Sequence, residues 1–207
     1  MNELQVIYQL LLEETQNPDC THYVIDATRL LREFILKQEV KEIGKGKQFT
    51  TIKKVLASSK TRPILQKVLY KEDSQIFTDS FMMFLLRGND KIEALKDFYC
   101  NKDESERYPN VEKIMSLAKE NTEKYIIIDT KDFLSQSKLI NENNNCFSFN
   151  LNENEKVWFD VKSLTQYLTI INKQQVKLYY KHNLAPFYFI DENTNTEAIL
   201  VPVRTDK

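Results

Sequence analysis

Between Val157 and Val203 the hydrophobic period changes from two to 3.6 residues and back to two, which restricts this stretch to a helix held between strands. Val157 to Phe159 reads as a strand, and Asp160 stands where a helix N-cap is wanted. Val161, Leu164, Leu168 and Ile171 then fall on one side of a helix, while Lys162, Thr165, Gln166 and Thr169 fall on the other. Three β-prone runs follow, residues 176–180, 186–190 and 198–203, separated by Lys181-His182-Asn183 and by residues 191–196. A helix that is apolar on one side only needs a sheet to lie on. The expected unit is therefore α+β, in the order strand, helix and three antiparallel strands. Its core should include Leu164, Leu168, Val176, Leu178, Phe187, Phe189, Ile199 and Val201.

The earlier chain reads in similar terms. Leu4, Ile7 and Leu11 predict a helix over residues 2–15, ended near Asn17-Pro18. His22 to Ile25 predicts a short strand, and Asp26 would cap a helix with Leu30, Leu31, Phe34 and Ile35 on its apolar face. Residues 64–70, 75–77 and 81–86 read as a meander of short strands opened by Pro63. Strand, helix and strands thus occur twice, as if one α+β unit were repeated. Residues 89–121 are charged and broken at Tyr108-Pro109-Asn110. This predicts a linker at 106–122 between an N-terminal domain at 1–105 and a C-terminal domain at 123–207. Within the latter, residues 124–128 form a strand, Asp129 or Thr130 caps a helix to Ile140, 141–145 is a polar loop, and 147–149 is a strand.

Composition excludes several function classes. Gly44, Gly46 and Gly88 are the only glycines, too few and too dispersed for a phosphate-cradling loop. His22 and His182 are the only histidines, and neither has a cysteine or carboxylate at ligand spacing. No catalytic group, metal or cofactor is therefore expected. Cys20, Cys100 and Cys146 are odd in number and far apart, which fits thiols in a reducing cytoplasm. The acidic, interrupted N-terminus matches neither a signal peptide nor a membrane span. The formal net charge is −1, yet residues 41–67 carry eight basic residues against one acid, Glu42, a local charge of +7. One region can therefore attract phosphates within a nearly neutral chain.

Three stretches, in order, resemble bacterial DNA sliding clamps, the beta subunits of the replicative polymerase. VWFDVKSLTQYLTIINKQQVKLYYKHNLAPFYFIDENTNTEAILVPVR is similar to the closing half of the last clamp domain, which ends in Pro-hydrophobic-Arg, here Pro202-Val203-Arg204. TRPILQKVLYKEDSQIFTDSFMMFLL resembles the "RPIL … TD" strands of an earlier domain, and ERYPNVEKI resembles the linker into the final one. Two departures stand out. A bacterial clamp has three domains, whereas this chain has room for one and a half to two. After Asp79, Ser80-Phe81-Met82 replaces the family's Gly-His-Arg.

The resemblance implies a non-enzymatic processivity factor that holds double-stranded DNA without reading sequence. It also implies docking of a polymerase or other replication proteins through short peptides, and homo-oligomerisation, with three copies if a ring closes. The family's apolar peptide cleft maps onto Thr78, Phe81 and Met82 on one side and Ile199, Val201, Pro202 and Val203 on the other. The candidate DNA contacts are Lys47, Lys53, Lys54, Lys60 and Lys162. A clamp-derived adaptor that does not encircle DNA is the alternative. A metal-dependent nuclease using Asp26, Asp79 and Asp129 is a third reading, although each aspartate sits where a cap or turn wants one.

Overall fold

The computed structural model describes residues 3–17, 22–120, 124–137, 145–153 and 155–204. The chain divides into two compact units, Met1–Gly46 and Lys47–Lys207.

The first unit is a hairpin of two helices, α1 (Glu3–Glu14) and α2 (His22–Glu42). They run antiparallel: the Gln5 amide donates to the Glu39 carboxylate at 3.4 Å, and the Arg32 guanidinium lies 5.5 Å from the Tyr8 ring centroid. The strand expected over His22 to Ile25 is instead the first turn of α2. A four-residue β-prone run with no strand partner joins the helical periodicity that follows it without a breaker, and the Thr28 hydroxyl donates to the Val24 carbonyl within that helix. Asp26 accordingly caps nothing and pairs with Arg29 one turn on. Ile35 is buried, but Leu30 and Phe34, expected beside it, are exposed.

The second unit is built on a seven-stranded antiparallel sheet. Its strands are β1 (Leu69–Lys71), β2 (Ser74–Thr78), β3 (Met82–Leu86), β4 (Lys124–Asp129), β7 (Gln175–Tyr180), β8 (Phe187–Asp191) and β9 (Thr196–Leu200), in spatial order β1-β2-β3-β9-β8-β7-β4. Strands β5 (Cys146–Asn150) and β6 (Lys156–Asp160) form a separate hairpin. The first meander is shorter than expected, because Pro63–Gln66 forms a 3-10 turn and only Leu69–Lys71 pairs. Glu72 and Asp73 both take positive φ, which gives the two-residue β1–β2 turn the twist a hairpin requires.

Helix α3 (Gly46–Ser58) precedes the first meander, and α7 (Val161–Ile171) precedes the second. The expected repeat therefore exists as helix plus three strands. The two copies meet edge to edge where Met83 pairs with Ile199. Asp160 caps α7 as anticipated, accepting from the Ser163 amide at 2.7 Å. Leu164, Leu168 and Ile171 are buried, as are Val176, Leu178, Phe187, Phe189 and Ile199, whereas Val201 is only partly so.

Alternation along the strands gives two faces. Phe77 stacks on Phe84, and Phe84 meets the fully buried Tyr167 of α7 at 5.2 Å between centroids. Helix α3 shares that face, since the Gln48 amide donates to the Ile170 carbonyl at 2.8 Å. On the opposite face, Ile76, Met83, Leu85, Tyr188 and Ile199 pack against Tyr108, Val111, Met115 and Ala118. The last three belong to helix α5 (Val111–Lys119), which follows the short helix α4 (Lys102–Arg107). The linker expected at 106–122 is thus corrected. Charge in 89–121 marks the solvent side of a third layer, and the unit boundary falls instead beside Gly44 and Gly46. Helix α6 (Thr130–Ser137) is capped by Asp129, which accepts from the Lys131 and Asp132 amides. The expected end of that helix at 138–140 and the polar loop residues 141–144 lie outside the described residues.

Candidate functional site

Helices α3 and α7 lie side by side, each with its apolar stripe on the sheet, so their polar stripes share one surface. Neither helix contains an acid. Lys47, Lys54, Lys60 and Lys162 are exposed on or beside them. Lys53 differs from expectation: it is half-buried, its ammonium 5.8 Å and 5.9 Å from the Phe49 and Phe98 ring centroids. A cation over two aromatic faces is already partly satisfied, so the two helices offer phosphates three exposed lysines and one constrained lysine, with Lys60 just beyond.

The turn after β2 lies at the edge of this layer. Asp79 accepts from the Phe81 and Met82 amides at 2.9 Å each, the Thr78 hydroxyl donates to the Met82 carbonyl, and Ser80 takes φ +83°. These bonds hold the turn rigid and push Phe81 outward, 63% exposed. The Phe81 carbonyl then accepts from the Val201 amide at 2.8 Å, and the Val203 amide donates to the Trp158 carbonyl at 2.8 Å. The turn and the C-terminal segment, placed on two sides of one cleft by sequence, are therefore adjacent.

Their side chains are less simply arranged. Residues paired across antiparallel strands point to the same face. Met82 pairs with Leu200 and Met83 with Ile199, so Met82 and Ile199 point to opposite faces, and both are buried. Thr78 and Pro202 are buried too. Only Phe81, Val201 and Val203 of the seven keep accessible surface. Beside Phe81 opens a cavity of about 450 Å³ walled by Arg62, Asp79, Ser80, Asp160, Lys162 and Gln166 among others. Arg62 donates to the Ser80 hydroxyl at 3.3 Å. The wall joins the end of α3, the turn and the start of α7, and its side chains are mostly polar, Leu65 and Phe81 apart, where an apolar cleft was expected.

The other sheet face carries a charge cluster that pattern reading missed. Glu197, 2% exposed, accepts from Arg87 at 2.7 Å, from Lys119 of α5 at 2.7 Å and from the Tyr188 hydroxyl at 2.8 Å. Arg87 also donates to the Ser74 hydroxyl and the Asn195 carbonyl. Burial alone would raise the Glu197 carboxyl, but these bonds outweigh it and hold the group below its ordinary range. Burial and the bond to Glu197 push the Tyr188 hydroxyl upward. The signal lay in Thr196-Glu197-Ala198, an acid interrupting an apolar run. The cluster borders a cavity of about 760 Å³ floored by Leu69, Ile76 and Leu85 and roofed by Val111 and Met115.

Asp26, Asp79 and Asp129 each serve local bonds. Among the described residues no group of three His, Cys, Asp or Glu side chains could hold a metal ion, and no helix is long and apolar enough to cross a membrane.

No protein-family model matches the chain, and no curated protein matches it in sequence. Solved structures do match in fold. The DnaN sliding clamp (DNA polymerase III subunit beta) of Bartonella birtlesii, bound to griselimycin, superposes with a TM-score of 0.55 at 14% identity, over 78% of this chain and 65% of that one. The Helicobacter pylori beta clamp bound to a DNA ligase peptide gives 0.55 at 14%, over 76% and 62%. The DNA polymerase sliding clamp of Bacillus subtilis gives 0.51 at 16%, over 77% and 62%. The chain has the sliding-clamp fold and spans 62–65% of the length of these clamps.

Proposed function

We propose that this chain is a non-enzymatic, clamp-like DNA-holding protein of the reducing cytoplasm, which binds duplex through the α3/α7 surface and docks replication proteins beside Phe81. The observation that carries this reading is the acid-free helical layer on a sliding-clamp fold. Helices whose lysines meet phosphates, with nothing poised to read base edges, favour affinity over sequence. A rigid sheet behind them keeps those lysines fixed relative to one another. Peptide docking is supported by the adjacency of the Phe81 turn and the C-terminal segment, and by a beta clamp of the same fold that was solved with a DNA ligase peptide.

Fluorescence anisotropy on duplex DNA tests the reading. Binding should be weak, indifferent to sequence and salt-dependent, with log K falling against log salt by about 0.9 per phosphate neutralised. Lys47→Glu with Lys54→Glu should flatten that slope by about 2 for every sequence alike. A second arm titrates an extended peptide carrying Gln-Leu-Phe. Phe81→Ala should weaken its binding while the melting curve stays unchanged. Affinity insensitive to salt and to the lysine pair would sink the DNA surface. Calorimetry showing no heat up to about millimolar peptide, where Kd corresponds to only about 4 kcal/mol, would sink the docking role.

A further inference from the structure

The register of the sheet lays one row of side chains under helix α5. Leu69 pairs with Ile76, Ile76 with Leu85 and Leu85 with Glu197, and residues paired across antiparallel strands share a face. From β1 to β9 the row therefore reads three apolar residues and then one acid. It spans three strand spacings, about 14 Å. Helix α5 crosses the same strands: Glu112 in its first turn pairs with Lys71 of β1, and Lys119 in its last reaches Glu197 of β9. Val111 and Met115 pack with the row between those ends. The cavity of about 760 Å³ is lined by both helix and row, and its size is that of a small-molecule site.

The β9 end of this cavity holds free bonding capacity. Glu197 supplies one negative charge there, and Arg87 with Lys119 supplies two positive ones. Arg87 donates through Nε to the Ser74 hydroxyl and through Nη1 to Glu197 and the Asn195 carbonyl. Its Nη2 has no partner among the described residues. The Lys119 ammonium carries three donors and meets Glu197 alone. Both cations line the cavity. One net positive charge with free donors thus meets an apolar floor.

Elsewhere the polar wall groups are engaged or solvated. The Asn110 side chain caps α5, Ser116 donates to the Lys113 carbonyl and Ser105 to the Asn101 carbonyl. Lys71 and Glu112 hold each other, and Glu72, Lys102 and Glu106 are exposed at the rim, where water and salt screen them. A peptide's amides would find few partners along this wall. A ligand that is polar at one end only needs none.

We infer that the cavity is a binding site for an apolar chain ending in a carboxylate, its head between Arg87 and Lys119 and its chain over Leu85, Ile76 and Leu69. A monoanion matches the single net charge at that end. A chain of about ten carbons, at bonds of about 1.5 Å, matches the length of the row. None of Thr78, Phe81, Met82, Ile199, Val201, Pro202 and Val203, the cleft mapped by sequence, lines this cavity. The site is also independent of the DNA-holding role, since it uses no residue of α3 or α7.

Isothermal titration of the full chain with decanoate tests it. Decanoate should bind one per chain with Kd below about 1 mM, and octanoate about sixteenfold more weakly, since each buried methylene contributes roughly fourfold. Decylamine, the same chain with the opposite charge, should bind at least about tenfold more weakly than decanoate. Lys119→Ala, which leaves Glu197 its bonds from Arg87 and Tyr188, should weaken decanoate about tenfold. Met115→Trp, which fills the cavity, should abolish binding; if that chain does not fold, Lys119→Ala decides alone. Lys47→Glu with Lys54→Glu should change nothing, which separates the cavity from loose attraction of an anion to the basic helices. The proposal is overturned by any of four results: no decanoate binding up to about millimolar, decylamine as tight as decanoate, binding that survives Lys119→Ala unchanged, or binding lost with the helix lysines. A peptide with a free C-terminal leucine that binds more tightly than decanoate would assign the cavity to a protein terminus and overturn it too.

Discussion

Glu197 is nearly inaccessible, yet it answers to three donors on three elements: Arg87 after β3, Lys119 on α5 and Tyr188 on β8. Removing one partner of a fully buried ion pair costs about 3–5 kcal/mol, but here the donors are not fully buried. The Lys119 side chain is 48% exposed and can rehydrate, and Arg87 keeps Ser74 and the Asn195 carbonyl. The Tyr188 hydroxyl is left as the main orphan, at about 1–3 kcal/mol. Glu197→Ala should therefore cost about 2–4 kcal/mol, and Glu197→Gln, which still accepts from Tyr188, about 1–2. Lys119→Ala should cost less than about 1 kcal/mol, as exposed ion-pair partners do.

The carboxyl is held below its ordinary range, so the unfolded chain takes up the proton first as pH falls, and stability drops with pH in that window. The advantage of wild type over Glu197→Gln should be full at neutral pH and shrink once pH falls below about 4, near the unfolded carboxyl value. Urea titrations at a series of pH values measure it, and a double-mutant cycle with Arg87→Ala should return a coupling of about 1–2 kcal/mol. A gap between wild type and Glu197→Gln that stays constant from pH 7 to about 3, or a coupling indistinguishable from zero, would refute the reasoning that the charge itself matters.

Two further outcomes follow from burial on the helical face. Leu168 is fully inaccessible, so Leu168→Ala should leave a cavity and lower stability by about 2–5 kcal/mol in urea unfolding. Tyr167 is fully inaccessible too, and its hydroxyl has no hydrogen-bond partner among the described residues. Tyr167→Phe keeps the ring against Phe84 and should be neutral or stabilise by up to about 2 kcal/mol, seen as an equal or higher urea midpoint.

Where local pattern and tertiary structure agree, the sequence was readable. The α7 helix needed only its cap at Asp160 and the spacing of Leu164, Leu168 and Ile171. His22 to Ile25 misled because β-branched residues favour strands only when a partner strand is present, and propensity alone cannot see one. The domain boundary misled because the reading followed charge. Two of the three glycines, Gly44 and Gly46, stood at the true division, and Gly44 takes φ +73° with open space around it. The cleft misled for a stricter reason. Period two says that Met82, Phe84 and Leu86 share a face, but which residue of β9 joins them is set by pairing register, and a one-residue shift exchanges Ile199 for Leu200.

The same register explains why the chain spends residues 101–119 on a third layer. Across β1, β2, β3 and β9, the face away from α3 and α7 shows Leu69, Ile76, Leu85, Met83 and Ile199, an apolar surface that water would penalise. Across β7 and β4 that face changes character: Lys177 lies over the Tyr125 and Tyr179 rings, 4.0 Å and 4.8 Å from their centroids, and Tyr125 is half exposed. Helix α5 covers the apolar half. Its last turn delivers Lys119 to Glu197, a buried acid on the apolar side. A charge there is tolerable only because the helix that seals the face also brings its counter-ion. Covering the sheet and neutralising Glu197 are thus one structural event, which is why a stretch that looks like a charged linker is part of the fold.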